Sequence, residues 1–160
     1  MAAYTDTHGF DKGSAAHPAK GQTRVSYVEV VMDFAAITTA RAAAGATALG
    51  SDSLQVISVP ANTLVLACGA TTEVVEGAGA TFDIGTTGGT VDGFVDGGNA
   101  NVLGTTASNG AFLDADNQSH YFAAADTIDI LLAVSGTTLD TAKIKVWAVL
   151  VDCSSTNLSG

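Results

Sequence analysis

The sequence predicts an all-β protein: a jelly-roll-like antiparallel β-sandwich of about eight strands with an extended N-terminal arm. Three observations carry this. Short Val/Ile/Thr runs are punctuated by Gly, Asn and Asp, with 18 Gly and only 2 Pro, which is how strands separated by tight turns are written in sequence. Apolar residues make up 47% of the chain and are mostly small. Near the C-terminus two runs alternate strictly, with Ile128, Ile130, Leu132 and Val134 on one side of the first and Ile144, Val146, Ala148 and Leu150 on one side of the second. Period-2 alternation places such residues on one face of a pleated strand.

A chain of 160 residues fits one domain able to bury roughly 70% of its unfolded surface. The expected organisation is an arm over residues 1–22, a β-sandwich over 23–154 and a short tail over 155–160. The arm carries Gly9, Gly13, Gly21 and Pro18 among small polar residues and has no periodicity, so it builds no core of its own. Tyr4, Phe10, Lys12 and Lys20 punctuate it. Ordering some twenty residues costs on the order of 20–40 kcal/mol of backbone entropy, which only a large contact surface offsets. Two readings follow, a disordered tail or an extended arm laid on a neighbouring subunit with its aromatic anchors in pockets; the arm is expected to be disordered in the free protein and ordered in the assembled particle.

Arg24 to Ile37 is the next expected strand, with Val28, Val30, Met32 and Phe34 turned inward. Ala35 to Leu49 is Ala-rich, but Gly45 and Gly50 interrupt it, so a loop holding at most a helical turn is expected. Ser53 to Val59 and Leu64 to Val75 follow as strands. Pro60 between them donates no ladder hydrogen bond and belongs at a strand end. Across Gly77 to Asn101, Asp-Gly and Gly-Gly pairs supply the positive-φ positions of tight turns. Phe82, Ile84, Val91 and Phe94 are expected to pin two short strands there. Leu103 to His120 is polar and rich in turns, and Tyr121-Phe122 leads into the two alternating runs. Gly136 and Asp140 lie between those runs, which predicts that they pair as an antiparallel hairpin. A lone hairpin is marginal in water, so its apolar face requires a second sheet.

The formal charge is −10, and its distribution says more than its size. From Ala42 to Ala142 there is no Lys or Arg, while 11 of the 16 acidic residues fall in that span. Such a surface repels nucleic acid and anionic membrane, both of which bind through clustered Lys and Arg, so neither is expected as a partner. No apolar run approaches the roughly 18 residues of a membrane span, and Met1 to Phe10 carries no secretory signature. Cys68 and Cys153 are then expected as reduced, packed thiols.

The search for chemistry yields no catalytic, cofactor or metal residues. His8 and His17 lie in the arm, and no Gly-x-Ser-x-Gly elbow occurs. His120, beside Tyr121, is expected to be structural. Thirteen Asp against three Glu suits turn chemistry and an acidic skin better than a tuned acid/base pair. Asp114-Ala115-Asp116-Asn117 begins like a calcium loop but lacks its Gly and distal Glu. Neither cysteine has metal-ligand spacing.

Pro60-Ala-Asn-Thr63-Leu-Val, Thr81-Phe-Asp83-Ile-Gly85, Val91-Asp-Gly93-Phe-Val-Asp96-Gly, Thr127-Ile-Asp129 and Lys143-Ile-Lys-Val-Trp147 together resemble the small virion structural proteins of tailed bacteriophages. The resemblance spans about residues 25 to 153. It implies a head decoration (cement) protein on the capsid surface, assembled in the host cytoplasm. It further implies a homo-oligomer, a trimer favoured, bound to the major capsid protein of the same particle. It transfers no catalytic residue. A tail or fibre subunit is the alternative, and a carbohydrate-binding β-sandwich is a third.

The outward side of the last strand fits such a partner. It carries Lys145, Trp147, Val149 and Val151, and three apolar residues in a row on a solvated face imply that the face is covered. Tyr4, Phe10, Lys12, Lys20 and Trp147 are accordingly the expected partner-binding residues.

Overall fold

The alternating residues close between two sheets. A computed structural model describes residues 13–14, 25–46, 49–50, 52–77, 79–86, 89–106, 120–134 and 139–154. In chain order the elements are β1 (Gly13–Ser14), β2 (Val25–Asp33), α1 (Phe34–Ala43), β3 (Ser53–Val59), β4 (Thr63–Val74) and β5 (Ala80–Gly85). They continue as β6 (Val95–Asn99), β7 (Gly104–Thr106), β8 (Tyr121–Phe122), β9 (Asp126–Val134) and β10 (Lys143–Asp152). One sheet has the order β1-β3-β9-β5-β6, the other β2-β10-β4-β7 with β8 also paired to β4. Eight of these strands have three residues or more, while β1 and β8 have two each. The expected all-β, jelly-roll-like sandwich is the observed architecture.

The core lies between the inner faces. Phe82, Ile84, Ile128, Ile130 and Leu132 from one sheet and Met32, Cys68, Ile144, Val146 and Ala148 from the other are all sealed from solvent. Each strand contributes them at alternate positions, as period 2 requires.

The predicted hairpin is corrected. β9 and β10 do not pair. β9 lies between β3 and β5, and β10 between β2 and β4. Each run is the centre of its own sheet, and the apolar sides of the two face one another across the core. Alternation specifies which side of a strand is buried, not which strand is its hydrogen-bonded neighbour. Residues 135–138 of the connection lie outside the described residues.

The loop expected at Ala35 to Leu49 is also corrected. β2 stops at Asp33 and a ten-residue helix follows. Asp33 caps it, its Oδ1 accepting the N–H of Ala36 at 3.2 Å, and the Ala-rich run favours the helical state. Phe34, Ile37 and Arg41 form its buried side, the i, i+3, i+7 spacing of one helical face. The C-cap is Ala44, and Gly45 beyond it takes φ +69°. The glycine does end the helix, but only after ten residues. Arg41 is buried and ion-paired with Asp52 at 3.6 Å.

Strand registers define two ends of the sandwich. Val25, Val59, Asp126 and Val151 mark the upper end, and Asp33, Val74 and Lys143 the lower. At the lower end Glu76 Oε2 accepts the backbone N–H groups of Asp140, Thr141 and Ala142 at 3.0, 2.9 and 2.7 Å. Burial opposes the charge there, yet the N–H groups of Thr141, Ala142 and Asp140 outweigh it and hold the carboxyl below the usual range. This clamp delivers the chain into β10. Cys68 is buried and its thiol pushed up by that burial, while Cys153 is exposed. The two are free thiols, but only Cys68 is packed, because Cys153 falls beyond the last rung of β10.

Candidate interaction surface

The outer face of β2-β10-β4 is built in rows that the strand registers align. Ile144, Val146, Ala148 and Leu150 point into the core, so Lys143, Lys145, Trp147, Val149 and Val151 point outward, each half-buried. In the uppermost row Val151 stands opposite both Val25 and Leu64, and Leu64 opposite Tyr121 of β8. In the next, Val149 is flanked by Tyr27 and Ala67, and in the third Trp147 is flanked by Glu29 and Gly69. The first two rows are therefore apolar, the first reaching across four strands, and in the third Trp147 stands beside the exposed Glu29. Val25, Tyr27 and Tyr121 are 48%, 58% and 49% exposed, too open for residues of these types that have nothing to cover them.

Below Trp147 the face turns charged. Lys145 approaches Glu73 at 3.2 Å and Glu29 at 4.0 Å, and Lys143 meets Asp33 at 2.7 Å. The Lys143 ammonium holds the Asp33 carboxyl below its usual range, and Asp33 in turn raises Lys143. Tyr27 donates its hydroxyl to Glu29 Oε2 at 2.7 Å, a bond that raises the phenol's pKa. The basic side chains on this face are thus matched by carboxylates.

The opposite outer face, on the sheet containing β3, β9 and β5, is polar and acidic. Gln55, Ser58, Thr81 and Asp83 are half-buried there, and Asp83 Oδ1 accepts the Gly97 N–H at 2.8 Å. The loop between β5 and β6 folds back onto this sheet. Phe94 N–H donates to the Ile84 carbonyl at 2.8 Å, and a Cβ on Gly85 would overlap the backbone of Thr90 and Val91. The sandwich has one outer face rich in apolar side chains and one that is polar, carrying Asp83 and the buried Asp129.

Trp147 sits where the sequence places it, outward on β10 with Val149 and Val151. Tyr4, Phe10, Lys12 and Lys20 lie outside the described residues, as do His8, His17 and the Asp114–Asn117 segment. Sequence reasoning missed Val25, Tyr27, Leu64 and Tyr121 as members of the surface. A signal was present in β2, where Val25, Tyr27 and Val31 occupy the parity opposite to Val28, Val30 and Met32. Apolar residues at both parities mark a strand covered on both sides. Val91, expected to pin a strand, is exposed at 42% in the loop beside the acidic face.

His120 is half-buried, its ring against Phe94 with centroids 4.2 Å apart. It lines a recess of about 280 Å³ with Thr86, Tyr121 and Asp126. Asp126 Oδ1 accepts the N–H of Thr127 at 2.8 Å. This is the packing of a loop histidine on an aromatic ring.

No family model and no curated protein matches the sequence. Solved structures do match. A chain of the acidic stable capsid of Helicobacter pylori bacteriophage KHP30 aligns with a TM-score of 0.57 at 9% identity, covering 82% of this chain and 90% of that one. A chain of the cyanophage Pam1 capsid asymmetric unit aligns at 0.54 and 14% identity over 94% and 99%. A chain of the Ralstonia phage GP4 capsid aligns at 0.53 and 15% identity over 94% and 97%. The fold is shared with phage capsid chains. Identities of 9–15% make this a likeness of fold, not of side chains. Because coverage is high in both directions, the capsid-chain fold recurs here in chains of nearly equal length.

Proposed function

We propose that the chain is a structural protein of a phage capsid, one that decorates the exterior of the shell and stabilises it as an oligomer. The observation that carries this is the two-way coverage of chains from phage capsids: those chains are neither much longer nor much shorter than this one, as expected of a dedicated small component. The two outer faces support an orientation. The apolar β2-β10-β4 face packs against protein neighbours, and the opposite side, drawn from the span without Lys or Arg, turns its β5–β6 loop to solvent and repels nucleic acid.

The partners in this reading are further copies of the chain, a trimer favoured, and the major capsid protein of the same particle. The site is the virion surface, assembled in the host cytoplasm. The arm, through Tyr4, Phe10, Lys12 and Lys20, fastens the body to its neighbours. No enzymatic step is assigned, and His120 serves packing.

The test is the particle itself. Purified virions should contain the chain, and an image reconstruction should show its sandwich on the outside of the head. Particles assembled without it should keep their shell but release DNA at a lower temperature. Finding the chain only in the tail, or nowhere in the virion, overturns the proposal.

A further inference from the structure

We infer that the outer edge of β2 pairs with the β2 edge of a second copy of this chain, antiparallel, about a two-fold axis at Val28. The inference rests on the oligomeric reading above and deepens it by naming one contact between copies. Its first support is the contrast between edges. Among the described residues five strands have a single ladder neighbour: β1, β6, β7, β8 and β2. β1 and β8 have two residues each. β7 has three and begins at Gly104 with φ +130°. β6 has five, with a register shift against β5 and Gly97 at φ +65°. Short or bulged edges resist further pairing, and glycine weakens a strand. β2 differs from all four. It has nine residues, no Pro or Gly, and an unbroken register with β10 from Val25 to Asp33. A long, regular edge is a template for another strand.

The direction of the backbone groups follows from one bond. Phe34 N–H donates to the Ala142 carbonyl at 2.9 Å, one step beyond the Asp33–Lys143 pair. Hydrogen-bonded pairs recur at every second residue of an antiparallel ladder, so Met32, Val30, Val28 and Ser26 also turn their N–H and C=O toward β10. Those of Val25, Tyr27, Glu29 and Val31 turn away, to the outer edge. The same four residues carry the exposed side chains of the strand, Val31 among them at 41%.

Side chains then select both the occupant and the register. Residues opposed across a pair share one face of the sheet, so a second β2 opposes residues of equal parity. An axis at Glu29 sets two carboxylates against each other and Val25 against Asp33. An axis at Tyr27 or at Val30 sets valine against glutamate. An axis at Val28 sets Val25 against Val31 twice and Tyr27 against Glu29 twice, with no like charges opposed. Tyr27 and Glu29 are compatible neighbours, since the phenol already donates to that carboxylate within one chain at 2.7 Å. Val31, which stands beside Lys145 in its own sheet, gains an apolar partner. Each of the four pairs exchanges two backbone hydrogen bonds. A strand that matches itself in this way is what an isologous contact requires.

The test uses the full chain, free of any shell, with Cys153→Ser because that exposed thiol would link copies by itself. Val28→Cys and Glu29→Cys are made separately in this background and oxidised mildly. On the axis, Val28 and its counterpart form a non-hydrogen-bonded pair with Cα atoms about 4.5 Å apart, within disulfide reach. Glu29 and its counterpart lie two residues out of register, about 7–8 Å apart. Val28→Cys should therefore give about tenfold more disulfide-linked dimer than Glu29→Cys. Glu29→Pro supplies a second measurement. The Glu29 N–H serves no bond to β10, so proline leaves that ladder whole and blocks only the outer edge. Light scattering should show a lower mass for it at an unchanged urea midpoint; if it does not fold, the thiol comparison decides alone. Linking at Glu29→Cys that equals or exceeds linking at Val28→Cys, linking at neither, or an unchanged mass in folded Glu29→Pro overturns the inference. An oligomer that persists without the link at position 28 leaves the oligomeric reading standing, so the two fail separately.

Discussion

Tyr27 and Trp147 stack across the β2–β10 pair, their ring centroids 6.5 Å apart and their planes 25° from parallel. Two aromatic rings held together on the outside of a sandwich form a platform, and its value is realised when something covers it. Light scattering at micromolar concentration should return a multiple of the single-chain 15.9 kDa. Both Tyr27→Asp and Trp147→Asp should lower that mass. An unchanged mass in both variants removes this face from the subunit contact.

Glu76 makes stability depend on acid. Its folded-state pKa is depressed, so the clamp's contribution is complete above the unfolded glutamate value, about pH 4.3, and is lost as pH falls through the folded value. Asp140 beside it is raised by its hydrogen bond with Glu76, but it is exposed and its opposing effect is screened. Glu76→Gln should cost about 1 kcal/mol or more at pH 7, since hydrogen bonds to a charged acceptor contribute about 1.5–3 kcal/mol against about 0.5–1.5 for a neutral one. Urea midpoints between pH 7 and pH 3 should fall less steeply for Glu76→Gln than for the parent. Parallel curves would show that the three N–H bonds do not depend on the charge.

Asp33 does two things at once, capping α1 and pairing with Lys143. Asp33→Ala should cost about 1 kcal/mol through the lost cap. Asp33→Asn keeps a capping oxygen and loses only the ion pair, whose partner is 44% exposed, so it should cost less than half as much. Equal losses in the two variants would mean that the ion pair, not the cap, carries the effect.

Two glycines separate a steric demand from a conformational one. At Gly85 any Cβ meets the backbone of the loop folded over β5, and Gly85→Ala should cost about 3 kcal/mol or more because that loop must lift. At Gly45 there is open space but φ is +69°, and Gly45→Ala should cost about 1–2 kcal/mol. Thermal melts of the two variants compare them directly. A milder effect at Gly85 than at Gly45 would mean that the loop yields freely.

The strands were largely legible because their signal is local. Ser53 to Val59 is found with its expected bounds, and β4 lies within a residue of expectation at each end, since alternation and the break at Pro60 are carried by neighbouring residues. The helix was less legible. Ala35 to Leu49 carries few large apolar residues, and only Phe34, Ile37 and Arg41 mark its buried side. An arginine on that side disguises the period, because its burial depends on Asp52, a residue eleven positions away. The outward position of Trp147 was legible by parity alone, whereas the surface it shares with Tyr27 and Tyr121 was not, since nothing local says that those strands lie on one face.

By itself the sequence determined which residues turn inward, where the chain turns and which span is acidic, because side-chain period, turn chemistry and charge are properties of short stretches. Only the tertiary structure decided partnership. It set β9 and β10 in separate sheets, although the local alternation reads the same for a hairpin as for a crossover, and it brought Val25, Val151, Leu64 and Tyr121 into one row from four strands. Backbone hydrogen bonds between strands are alike whatever the side chains, so pairing is chosen by how the whole set of apolar faces closes on one core.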